Sequence, residues 1–227
     1  MARFGGQEVR NAGLLALALM VAGCQTKPKP ESSQRPRVEV GAPLKSEAWK
    51  QIATADDEQR LSRLQSAWVS ALAEAKKTNP GDVRKEGVLL EADARLARPA
   101  PTPGSYNCRL IKLGKTEPRT RSFESFKPFF CYVEVEGDLL TIVKQTGSQR
   151  PAGRLWEDDN DERLIFLGTL ALGNEDQPLA YGEDPKRDMA GVLERIGPFR
   201  WRLVIPWPQG ASKLDVYELT PVADQPE

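Results

Sequence analysis

The residues with the most chemical capacity lie between Arg187 and Arg202. Arg187-Asp188, Glu194-Arg195 and Arg200-Trp201-Arg202 bring guanidinium groups, carboxylates and an indole to one predicted hairpin. With Arg150 they form the candidate surface for a ligand or a partner. The same pattern also reads as cross-strand Arg–carboxylate pairing on an outer sheet face, worth a few tenths to about 1 kcal/mol per pair. The chain contains no histidine, which excludes Ser-His-Asp triads, Cys-His pairs and His-containing zinc sites. Ser148, in Thr146-Gly147-Ser148-Gln149-Arg150, fits neither Gly-x-Ser-x-Gly nor Ser-x-x-Lys and reads as a loop serine. The acidic run from Glu157 to Glu162 offers oxygen ligands that suit calcium, but it lacks the Gly and the distal Glu of an EF-hand loop. It reads as a solvated hairpin tip. Glu175, Asp176, Glu183 and Asp184 surround Tyr181-Gly182 in a second acidic turn. A glycosidase needs two carboxyls about 5–9 Å apart, and a hydrolase or lyase built on this chain would work through carboxylates such as Asp188 and Glu194 with nearby arginines. The sequence yields no catalytic triad, no metal-ligand set and no cofactor motif.

Compartment is set by another stretch. Residues 12–24 are apolar and end in Val21-Ala22-Gly23-Cys24, which resembles a bacterial lipobox, the site where a signal peptidase cuts before a lipidated Cys. The run of about a dozen residues is too short for a membrane span of roughly 20, and Arg3 and Arg10 supply the basic region of a leader. The resemblance implies acylation of Cys24, palmitate included, and an oxidising envelope compartment. Gln25 in place of Asp then favours the periplasmic face of the outer membrane. Cleavage removes Arg3, Arg10 and Glu8 from 32 basic and 32 acidic residues, leaving about one net negative charge. A near-neutral chain lacks the basic excess of a nucleic-acid binder. Residues 25–44 carry four prolines and little apolar surface, and read as an extended tether of up to roughly 60 Å.

The elements that position the chemistry follow. Ser46 is expected to cap a short helix carrying Trp49 and Ile52. Asp56 with Gln59 forms a capping-box pattern ahead of one long helix that ends near Lys77. Leu61, Leu64, Trp68, Ala71, Leu72 and Ala75 share its apolar face, opposite Arg60, Arg63, Glu74 and Lys76. That face packs on the main domain or binds a partner. Residues 82–98 add at most a turn of helix before Pro99, Pro101 and Pro103. From Tyr106 the period becomes two. Tyr106, Cys108, Leu110 and Lys112 alternate with Asn107, Arg109 and Ile111; Cys131, Val133 and Val135 alternate with Tyr132, Glu134 and Glu136. Glu136-Gly137-Asp138 reads as a hairpin turn, and Gly147, Pro151 and Gly153 as a shaped connection. Phe199, Trp201, Leu203 and Ile205 share one face of a later strand, with Arg200 and Arg202 on the other. About eight short strands without helical crossovers make a mainly β fold, an antiparallel up-and-down barrel or sandwich, preceded by one or two α-helices. Cys108 and Cys131 fall on the apolar phase of adjacent strands and are expected to pair in an oxidising compartment.

Domain organisation reads as a leader (1–23), lipidated Cys and tether (24–44), a helical segment packing on the β domain (45–98), the β domain (99–222) and a short tail (223–227). The stretches Cys108–Gly114, Thr146–Gly153, Phe166–Leu170, Asp188–Gly197 with Arg200–Leu203, and Leu214–Leu219 together resemble a family of alphaproteobacterial lipoproteins, the domain of unknown function 4893. The likeness covers most of residues 45–222. It implies a lipoprotein and supplies no catalytic residue. A looser likeness is to small periplasmic barrels of the lipocalin and protease-inhibitor kind, at the level of fold. The expected function is a non-enzymatic, lipid-anchored envelope protein that binds a protein partner or a small amphiphile. The alternatives are a carboxylate/Arg hydrolase or lyase, or a periplasmic protease inhibitor that inserts residues 25–44 into a protease.

Overall fold

The computed structural model describes residues 44–223, apart from 174 and 211. The leader, Cys24 and the tether up to residue 43 lie outside the described residues. A 3-10 turn, Lys45–Gln51, comes first; it buries Trp49 and leaves Ile52 half exposed. Leu44 stands at its cap position without a side-chain hydrogen bond, so Ser46 is not the cap. Helix α1 (Ala55–Ser62) is opened by Thr54. The Thr54 hydroxyl accepts from the Asp57 amide at 3.2 Å and donates to the Asp57 carboxylate at 3.0 Å. This reciprocal cap displaces the expected Asp56–Gln59 pair, because a β-region Thr54 leaves its side chain free to reach the first turn.

The expected long helix is two helices. α1 stops at Arg63, and α2 (Leu64–Thr78) follows. At the break the Arg63 carbonyl accepts from the Trp207 indole at 3.3 Å, while the Arg63 guanidinium lies 5.4 Å from the centre of that ring. Arg60, expected on the solvent face, is buried because α1 is turned by this break toward the sheet. α3 (Pro80–Glu86) starts on a proline, which suits the first helical position, and a 3-10 turn (Gly87–Leu90) ends the helical layer.

Nine strands follow: β1 (Gly104–Leu113), β2 (Phe123–Ser125), β3 (Phe129–Glu136), β4 (Leu139–Lys144), β5 (Gln149–Glu157), β6 (Arg163–Leu172), β7 (Asp188–Gly197), β8 (Arg200–Pro206) and β9 (Leu214–Pro221). Each strand from β3 to β9 pairs antiparallel with the next, and β9 returns to β1 along Tyr106–Leu113. Eight strands thus close an up-and-down barrel, with no sandwich and no open edge between first and last. β2 is the ninth. β1 gives the first half of its other edge to β3 and the second half to β2, with a one-residue slip between. Three residues are too few to show a period, which is why β2 is invisible in the sequence.

Two cores share the barrel wall. Inside, Tyr106, Leu110, Phe166, Trp201, Leu203 and Ile205 belong to one buried cluster. Outside, Ala67, Trp68, Ala71 and Ala75 of α2 pack with Ile111, Val192, Val204 and Val216 in the other. Alanines four residues apart let the helix backbone come close; a Cβ on Gly114 would meet Ala71 Cα at 3.0 Å. The helical face therefore packs on the barrel. Strand β7 consequently buries residues of both faces, and its alternation disappears. Two expected core residues are outside: Val135 is 64 % exposed near the end of β3, and Phe199 is 74 % exposed in the β7–β8 turn. The connection expected at Gly147–Gly153 ends sooner, since Pro151 and Gly153 lie within β5. Gly153 faces Gly168 of β6 across the ladder. A Cβ on Gly168 would stand 2.3 Å from the Ala152 carbonyl and 2.7 Å from the Phe166 ring, which covers the glycine pair.

Candidate functional site

Eight strands enclose a space that side chains can just fill, and here they fill it. Tyr106 and Trp201 meet edge to face with centroids 5.9 Å apart, and the Tyr106 hydroxyl donates to the Thr102 carbonyl at 2.6 Å. Cys108 and Cys131, both buried in the lumen, form a disulfide with Cα atoms 5.9 Å apart. Open space remains at the two mouths. The upper mouth, at the start of β1 and the end of β5, carries a groove of about 680 Å³. Leu140, Leu155 and Leu164 floor it, Ala48 and Ala100 wall it, and Lys45 stands on its rim.

The lower mouth, where β1 and β8 end and β9 begins, holds a smaller cavity of about 110 Å³. Its polar centre is a cross-strand pair. Lys112 Nζ donates to Asp215 Oδ2 at 3.0 Å, and the Ser212 hydroxyl donates to Asp215 Oδ1 at 2.5 Å. Tyr217 points into the lumen beside them. Burial pushes the Asp215 carboxyl up, against the pull of Lys112. Burial and then the Asp215 charge hold the Tyr217 phenol above its ordinary range, so it stays a donor.

A second network lies on the rim of this mouth. Asp57 is buried and accepts from Arg60, from the Tyr181 hydroxyl at 2.5 Å and from Thr54. Arg60 also reaches the Asp188 carbonyl at 3.4 Å with both terminal nitrogens. Asp188 Oδ1 accepts from the Gly182 amide at 2.9 Å, while Oδ2 is buried without a partner among the described residues. Burial raises the Asp188 carboxyl; the Gly182 amide opposes this and the Asp57 charge adds to it. Burial and its bond to Asp57 raise Tyr181 as well. Titratable groups shifted by burial thus gather at one mouth, as they do at functional sites.

The candidate surface read from the sequence divides in two. Arg150, Arg187 and Asp188 stand at the lower mouth. Arg150 holds the carbonyls of Gly147 and Gly173 at 3.0 and 2.6 Å, and Arg187 pairs with Glu175 at 2.5 Å and Asp184 at 3.3 Å. Six residues along β7, roughly 20 Å away at strand rise, Glu194 begins the other half. Arg202 is fully buried under the helices: it donates to Glu194 at 2.7 Å and to the carbonyls of Leu89, Glu91 and Ala92 at 3.0, 2.7 and 2.9 Å, and lies 4.8 Å from the Trp68 ring centre. Arg195 takes the Ala97 carbonyl at 3.0 and 2.6 Å, and Arg200 pairs with Glu218 at 2.5 Å. Trp201 faces the lumen. Arg200–Glu218 is cross-strand pairing as on an outer sheet face, Glu194–Arg202 is cross-strand but buried, and Arg195 ties β7 to the segment before β1. At the acidic tip Arg163 donates to Asp158 at 2.5 Å. Among the described residues no three Cys, Asp or Glu side chains converge as metal ligands.

Lys112, Asp215, Tyr217, Asp57, Arg60 and Tyr181 were absent from the sequence candidates. Lys112 and Asp215 did carry a signal: each is a charged residue on the apolar phase of an alternating strand, next to Leu110 and Tyr217. The closed eight-stranded barrel is only loosely compatible with the likeness to lipocalin-type barrels. No curated protein and no solved structure matches the chain. The model of a domain of unknown function, DUF4893, matches residues 49–219. That span takes in both α1–α3 and every barrel strand to Leu219, and so the chain belongs to the DUF4893 family.

Proposed function

We propose that the chain is a non-enzymatic lipoprotein of the cell envelope, acylated on Cys24 and carried on the Pro-rich tether at the periplasmic face of the outer membrane, whose barrel binds a small amphiphile. The observation that carries the binding role is the upper-mouth groove: about 680 Å³ over Leu140, Leu155 and Leu164, within the size range of small-molecule sites. With the lumen packed, an apolar tail lies in that groove and its polar head meets solvent near Lys45. A hydrolase using Asp188 with Glu194 fits poorly, because the two stand roughly 20 Å apart on one strand and Glu194 is engaged by Arg202.

The test is native mass spectrometry of the mature protein from its own envelope, before and after denaturation, beside Leu155→Trp. Expected are an acyl mass on Cys24, the loss of two hydrogens for the disulfide, and an extra mass that leaves on denaturation and is missing from the Trp variant. An unacylated Cys24 overturns the anchor. No extra mass overturns the amphiphile and moves the function to a protein partner, sought by cross-linking.

A further inference from the structure

We propose that the lower-mouth cavity is a second, separate binding site, specific for a small carboxylate of two to four carbons. Lys112 and Tyr217 bring donors to it, beside Asp188, whose Oδ2 has no partner among the described residues. Both Asp215 oxygens are used, one by Lys112 at 3.0 Å and one by Ser212 at 2.5 Å. Lys112 has three N–H groups, and Asp215 is its one ion-pair partner among the described residues. The Tyr217 ring is buried and stands edge-on to Phe129, with centroids 6.5 Å apart. Its hydroxyl lines the cavity without a hydrogen bond to any described residue. Gln149, exposed at the start of β5, lines the same cavity with its amide. Ammonium, phenol and amide donors around one small space match a carboxylate, whose two oxygens accept about four hydrogen bonds.

Shape and field agree with that chemistry. Leu170, Met189 and Ile205 give the cavity an apolar wall, which suits a short alkyl stem. A volume of about 110 Å³ equals the liquid share of three or four waters at about 30 Å³ each. At the entrance Arg60 and Arg187 are matched by Asp57 and by Glu175 with Asp184. Lys186 has no ion-pair partner among the described residues and leaves the entrance cationic. Asp188 also lines the cavity, and burial raises its carboxyl.

The test is calorimetric titration of the mature protein with propionate at constant pH and ionic strength, with propionamide, chloride and inorganic phosphate as comparisons. Propionate is expected to bind and propionamide not to. Tyr217→Phe keeps the ring against Phe129, so the fold, checked by circular dichroism, is retained; affinity for propionate is expected to fall about tenfold, the loss of one hydrogen bond to a charged group. Leu155→Trp, which fills the upper groove, is expected to leave propionate binding unchanged, so the two sites fail separately. Equal binding of propionamide or chloride, preference for phosphate, or unchanged affinity in Tyr217→Phe overturns the proposal.

Discussion

Asp188 occupies the least favourable position of any carboxylate at the lower mouth. It is 3 % exposed, one oxygen has the Gly182 amide and the other has no partner among the described residues. Directly across the ladder on β6, the Thr169 hydroxyl is also buried without a partner. A carboxyl whose pKa is raised in the folded state binds its proton more tightly there than in the unfolded chain. Its contribution to stability is therefore complete below the ordinary aspartate value of about 3.9 and is lost as pH rises through the raised folded value. Asp215 works in the same direction. Asp188→Asn keeps an acceptor for Gly182 and removes the charge. It is expected to stabilise the protein at neutral pH by roughly 1–3 kcal/mol, the usual cost of an unsatisfied buried group, and to gain nothing below the aspartate range. Urea unfolding at the two pH values measures this, and an equal effect at both shows that the charge is not the cause. The sequence makes Asp188 visible as a carboxylate among arginines. What it hides is the partner list, since Arg60 reaches the Asp188 carbonyl across 128 residues and Asp57 meets Tyr181 across 124.

At the scale of elements, the strands were legible from their alternation and their turns, whereas what covers the outer face of the barrel was not. The hairpin at Glu136-Gly137-Asp138 turns where expected, with Gly137 at φ +61°, a region that favours glycine. β6 buries residues of both faces, and it is the turn signals at its two ends that make it legible. β7 and β8 are different. The helices cover their outer face, so Glu194 and Arg202, polar residues on that face, are buried rather than solvated. Arg202 joins three elements: it satisfies carbonyls at and just beyond the end of the 3-10 turn Gly87–Leu90, neutralises Glu194 of β7, and supports the Trp68 ring of α2. Arg202→Met fills the same space and leaves Glu194 buried without its cation. A loss of about 3–5 kcal/mol is expected, as for one broken partner of a buried pair. Arg202→Met combined with Glu194→Leu should recover most of it, because both charges are then gone. If the double variant is no more stable than the single one, the carbonyl contacts outweigh the ion pair. The break between α1 and α2 was illegible for a related reason: its cause, Trp207, lies 144 residues away.

The described residues form one barrel wall with a core on each side. β6 sends Phe166 into the lumen and Leu167 under the helices, and β8 does the same with Leu203 and Val204. Neither core can open without moving strands that the other needs. Helices and barrel should therefore unfold together, although they look like separate layers. Two probes separate them. Helical far-UV dichroism reports the outer layer, and after reduction the thiols of Cys108 and Cys131, buried in the lumen, report the inner one through labelling. In the reduced protein both midpoints in urea are expected to coincide, the signature of a two-state transition. Closing the barrel needs β1 to meet β9, more than 100 residues later, whereas the disulfide joins β1 to β3 across a separation of 23 residues. On the chain-entropy model such a loop contributes about 3 kcal/mol. The oxidised protein should unfold at higher urea by that amount with the slope of the helical signal nearly unchanged. Labelling that precedes the loss of helix would mean that the lumen opens on its own and that the two cores are coupled less tightly than their shared strands imply.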